Sequence, residues 1–101
     1  MQIEFSKIAK ISLKKNIDFL EKVWTRKEIN VFLDDVDHLT LSLKENKFLQ
    51  FQRYSENIRS ALIGKNHVRV YFRKENENLI KVLLFFDVRQ NPDELFELLK
   101  Q

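Results

Sequence analysis

The sequence predicts an α+β domain: an N-terminal strand, an αα-hairpin packed on a small antiparallel sheet, and a short C-terminal helix. Three observations predict it. Apolar residues recur at helical spacing through the first half of the chain, and the period switches to two after residue 57. An Asn-Pro-Asp-Glu helix start then stands close to the C-terminus.

Residues 2–5 (Gln-Ile-Glu-Phe) alternate as a short strand does, and Ser6 is a good helix N-cap. From Lys7 to Trp24 the apolar positions Ala9, Leu13, Ile17, Leu20 and Trp24 form one stripe of an amphipathic helix. Thr25 and Glu28 make a capping box, in which each side chain satisfies a backbone N–H of the other residue. A second helix follows, with Ile29, Phe32, Leu33, Val36, Leu39 and Leu43 on its inner face and Asp34, Asp35 and Asp37 pointing away. Two helices this close in sequence pair as an antiparallel hairpin.

The helical period fails after Asn46. Residues 47–57 show no repeat, yet Phe48, Phe51 and Tyr54 are too apolar for a free linker, so an ordered loop is expected. Strands are expected near 58–63, 67–73 and 79–88, with turns at Gly64-Lys65-Asn66 and at 75–78. Residues 79–88 are apolar on both faces and need cover on both sides of the sheet. Asn91 as cap, Pro92 at the first position and Glu94 at the third open the last helix, 92–100.

Composition bounds the chemistry. One domain spanning residues 1–101 is expected, since 44% apolar and 33% charged residues are a globular balance in a chain of 101. Cysteine is absent, which excludes disulfides, thiolate catalysis and Cys-ligated metals. A single glycine excludes the Gly-rich phosphate loops. No apolar run approaches the ~18 residues of a membrane span. The start, MQIEFSKIAK, lacks the pattern of a secretory signal, so a cytoplasmic location with no membrane partner is expected. No cofactor and no metal are expected: His38 and His67 belong to different elements, and Asp34, Asp35 and Asp37 point apart on a helix.

The charge is concentrated. Between Arg53 and Lys74 six bases face one acid, Glu56, which suits a polyanion or an acidic protein. By strand parity Arg59, Arg69, Tyr71, Lys81, Asp87 and Arg89 share one sheet face. A simple hairpin register sets Arg59, Tyr71 and Lys81 in one row, with Arg69 beside Leu83 and Arg89 about 20 Å further along. That is an extended basic groove, with Lys65 of the turn and His67 at the start of the 67–73 strand among its expected binding residues. It suits binding better than a compact catalytic cluster. A structural pair of Asp87 with Arg89 or Lys65 is expected, because an arginine beside the carboxylate favours its ionised form.

Three stretches resemble the RelE/ParE toxins of type II toxin–antitoxin systems. They are FSKIAKISLKKNIDFLEKVW with the helix after it, IRSALIGKNHVRVYF, and LLFFDVRQNPDEL. The order of strand, two helices and three antiparallel strands is similar to that family's over nearly the whole chain. The resemblance implies a toxin neutralised by a cognate antitoxin that wraps it with a helix and often an added strand. In the RNase members, basic residues of this sheet bind messenger RNA on the ribosome and stabilise charge as the 2′-hydroxyl attacks. Arg59, Arg69 and Arg89 stand at positions similar to three of those. Ala61 replaces the second lysine of the family's paired-lysine strand, and Asp87 replaces the histidine of the "H-x-R" ending. An RNase of this kind needs a base and an acid, and a carboxyl group of pKa ~3.9 is a poor acid at neutral pH. The departures favour the ParE-like branch, whose members bind and inhibit DNA gyrase. A ribosome-dependent mRNA endoribonuclease is the alternative, and an inactive relic that only pairs with an antitoxin is a third.

Overall fold

The computed structural model describes residues 1–100. The elements run β1 (Gln2–Phe5), α1 (Lys7–Val23), α2 (Arg26–Lys44), a 3-10 turn (Phe48–Gln50), β2 (Gln52–Arg53), β3 (Ile58–Ile63), β4 (Val68–Asn76), β5 (Leu79–Asp87) and α3 (Pro92–Leu99). This is the α+β order the sequence predicts. The strands form one sheet in the order β1-β5-β4-β3-β2. Its wholly antiparallel character is corrected, because β1 runs parallel to β5 and pairs Gln2–Phe5 with Leu79–Val82. A four-residue strand carries no signal for direction. It joins the edge of β5 that the β4–β5 hairpin leaves open, and Ser6 turns the chain directly into α1.

The boundaries differ by small amounts. β4 starts at Val68, one residue late, and continues to Asn76, so the turn into β5 is only Glu77-Asn78. β5 stops at Asp87 and α3 at Leu99, one residue short of the expected ends. Within the expected loop, Phe48–Gln50 winds into a 3-10 turn, and Gln52-Arg53 adds a short strand beside Ser60 and Arg59.

The caps read from sequence are formed. Ser6 Oγ accepts from the Ala9 N–H at 3.0 Å, Thr25 and Glu28 close their box, and the Asn91 side chain accepts from Asp93. One sheet face is covered by α1 and α2. Ala9, Leu20, Phe32, Val36, Leu39 and Leu43 meet Val68, Val70, Phe72, Ile80, Val82 and Phe85 there. On the second face Tyr71, Leu84 and Phe86 pack with Leu95, Leu98 and Leu99 of α3. β5 thus has the two-sided cover that its apolar run requires.

The β3–β4 connection is tight and left-handed. Gly64, Lys65 and Asn66 all have positive φ, at 60°, 55° and 66°. A Cβ on Gly64 would lie 2.8 Å from the Phe32 ring, so this position needs glycine for space as well as for backbone freedom. The Gly64 N–H donates to Asp35 Oδ2 at 3.0 Å. Asp35 therefore turns toward the sheet instead of pointing away with Asp34 and Asp37. Leu33, expected on the inner face, is exposed.

Candidate functional site

The observed register divides the residues that parity placed on one face. Arg59 pairs with Phe72, and Tyr71 pairs with Ser60 and Leu84. Arg69 lies beside Leu62 and Phe86, and Lys81 lies beside Arg73. The expected row of Arg59, Tyr71 and Lys81 is therefore corrected, as is the placing of Arg69 beside Leu83. Two features cause the shift. The turn at 64–67 sets the β3–β4 register, and an irregularity between Tyr71 and Phe72 moves the β5 pairing by one residue.

Arg69, Tyr71 and Lys81 remain together on the face away from the αα-hairpin. Arg69 Nη1 donates to Gln52 Oε1 and to Ser60 Oγ, each at 3.1 Å. Tyr54 meets Tyr71 edge-on with ring centres 5.3 Å apart. Tyr71 is buried, and that burial pushes its phenol above the usual value. Toward the other end of the face, Arg73 pairs with Glu75 and Lys81 lies 3.8 Å from Glu4. Neither hydrogen-bonding partner of Arg69 is titratable. The cation thus has no ion-pair partner among the described residues, on the face that carries Tyr71.

Arg59 lies on the opposite face, under the 3-10 turn. Its Nη1 donates to the carbonyls of Leu49 and Phe51 at 3.2 and 2.9 Å, and its guanidinium sits 5.6 Å from the Phe48 ring centre. Its Nε is buried without a partner. Arg59 is a staple of the fold and not part of a groove.

Asp87 pairs with Val68 and so faces the helices. Arg89 follows the strand and clamps it, with Nε to Oδ1 at 2.9 Å and Nη2 to Oδ2 at 2.6 Å, while the guanidinium covers the Phe19 ring at 5.1 Å. This pairing holds the Asp87 carboxyl below the ordinary range and the Arg89 guanidinium above its own. Of the two expected partners Asp87 takes Arg89, because Lys65 is engaged by Glu28 at 2.8 Å. That contact, with the Thr25 backbone, lowers the Glu28 carboxyl as well. His67 lies in the turn with its ring 5.6 Å from Trp24, so it packs on the hairpin.

The basic segment is therefore mostly internally paired. What the fold assembles is a smaller patch of Arg69, Tyr71, Ser60, Gln52 and Tyr54. Sequence reading missed the last three. Ser60 carries the parity of that face, but Gln52 and Tyr54 come from a two-residue strand and its flank, too short for any period. Among the described residues no group of three or more His, Asp or Glu could hold a metal ion, and no helix is long and apolar enough to cross a membrane. No protein-family model matches the chain, and no curated protein matches it.

Proposed function

We propose that the chain is the toxin of a type II toxin–antitoxin system of the RelE/ParE kind, ParE-like in action, binding and inhibiting DNA gyrase in the cytoplasm. One observation carries the non-catalytic reading: the three arginines similar to those of the RNase members stand in three separate environments. Arg59 is used inside the fold, Arg89 is neutralised by Asp87, and only Arg69 keeps its charge on the open face. No carboxylate or imidazole hydrogen-bonds Arg69, so the patch does not set those acid–base groups beside its cation. A cationic, aromatic patch of this kind serves recognition. The element order of strand, two helices and antiparallel strands supports the family reading, and a cognate antitoxin is the expected partner.

Purified protein at micromolar concentration should inhibit supercoiling by gyrase, and Arg69→Ala should abolish that effect. Unchanged supercoiling rejects the gyrase target. The endoribonuclease is the second reading, favoured by the exposed Tyr54 ring, which packs on Tyr71 at the face that carries Arg69, since an exposed aromatic ring near a cation accepts an unstacked base. Pulse labelling after induction separates the two. Early loss of thymidine incorporation supports gyrase, and early loss of methionine incorporation supports the ribosome.

A further inference from the structure

A cleft opens where β1 ends. Because β1 pairs only with residues 79–82, the second half of β5 has no neighbouring strand on that side. Side chains of α1 occupy the free edge instead. Ser12 Oγ accepts from the Phe85 N–H at 2.9 Å, and Asn16 Nδ2 donates to the Phe85 carbonyl at 3.1 Å. With that edge satisfied, the floor has no need of an added strand. Above it lies a cavity of about 670 Å³ between α1, the end of β5 and α3, within the size range of small-molecule sites.

The walls are apolar: Ile8, Ile11 and Phe19 from α1, Leu84 from β5 and Leu98 from α3. Ile11 and Phe19 stay exposed although they belong to a helix whose other stripe is core. Four charges line the cavity, Lys15, Asp87, Arg89 and Glu94. Asp87 and Arg89 neutralise each other, and this clamp and the Phe19 ring fix the guanidinium in place. Lys15 and Glu94 remain, on opposite walls, and neither belongs to an ion pair among the described residues.

We propose that this cleft binds an amphipathic monocarboxylate, its apolar body between Phe19, Ile11 and Leu98 and its carboxylate on the α1 side. Lys15 supplies the charge there, and the N–H groups of Arg89 that Asp87 leaves free supply positioned donors. Glu94 repels the carboxylate from the α3 wall and so sets the ligand's direction. The site stands independently of the toxin reading, since it uses neither Arg69 nor the open sheet face.

The test is an amide-resonance NMR titration of the full chain with 2-naphthoate and, in parallel, with 2-naphthamide. Naphthoate should shift the amides of residues 84–90 and of the adjoining turns of α1 saturably, and should bind more tightly than the amide. Lys15→Gln should weaken naphthoate about two- to fivefold and leave naphthamide unchanged, as expected of a partly exposed charge pair. Glu94→Gln should strengthen naphthoate by a similar factor. Both positions are exposed and outside the core, so the variants keep the fold. Equal binding of acid and amide, shifts centred elsewhere, an unchanged naphthoate affinity in Lys15→Gln, or no saturable binding up to the solubility limit would each overturn the assignment.

Discussion

The Nη1 of Arg59 donates to the Phe51 carbonyl at 2.9 Å and, from the same nitrogen, to the Leu49 carbonyl at 3.2 Å. One side chain on β3 thereby ties down the turn that delivers β2 to the sheet edge. Charge-assisted hydrogen bonds of this kind contribute about 1.5–3 kcal/mol. Arg59→Ala should therefore lower the urea-unfolding free energy by roughly 2–3 kcal/mol. Arg59→Lys should recover less than half of that, because an ammonium cannot reproduce the planar fork over the Phe48 ring. On the toxin reading proposed above, a loss of toxicity in Arg59→Ala would then report unfolding, and equal stability of the variant and the parent would disprove the staple.

Arg69 should behave in the opposite way. Its partners Gln52 and Ser60 are neutral and its bonds lie at an accessible face. Arg69→Ala should change stability by less than about 1 kcal/mol while removing the gyrase inhibition proposed above. The check is a urea curve run beside the supercoiling assay on the same preparation.

Asp87 predicts a pH dependence. Its carboxyl is held below the ordinary value, first by the Arg89 hydrogen bonds, so folding favours the ionised form. The stability this supplies is complete above an unfolded-state pKa of ~3.9 and is lost as the pH falls through the lower folded-state value. Asp87→Asn should be less stable than the parent at neutral pH. The gap between the two should narrow on acidification from about pH 5 to pH 2, read from urea midpoints. A constant gap would refute the pairing as the source.

Asn16 predicts a cost at the β5 edge. It is buried, with Nδ2 donating to the Ser12 and Phe85 carbonyls at 2.8 and 3.1 Å. Asn16→Leu keeps the branching at Cγ, though with a bulkier end, and leaves the Phe85 carbonyl without its partner, a loss of about 1–3 kcal/mol. Hydrogen exchange at Phe85, whose N–H is held by Ser12, should also speed up in this variant.

Local signals were strong enough to read every helix. The Ala9–Trp24 stripe, the Thr25–Glu28 box and the Asn91-Pro92 start each depend on residues within a turn or two of one another. The alternation of Val68, Val70 and Phe72 was equally plain. The site was harder to read, because it depends on how separate strands align. Extending parity from β4 to β3 requires the loop's residue count and geometry, and the left-handed run at 64–66 set Arg59 against Phe72. The irregularity beside Tyr71 then moved β5 by one residue, turning Asp87 to the helix side. Parallel β1 lay beyond any local rule, since four residues pair with a segment more than seventy positions away.

That pairing also has a place in time. On a translating ribosome, at about 5–20 residues per second, roughly 4–15 s separate the synthesis of Phe5 from that of its partner Val82. Throughout that interval α1 has no complete β5 to pack on, and β1 has no strand to pair with. The nascent chain is thus barred from the finished sheet until β5 has been made. On the toxin reading proposed above, such a delay gives a partner made alongside the chain time to meet it before the fold closes.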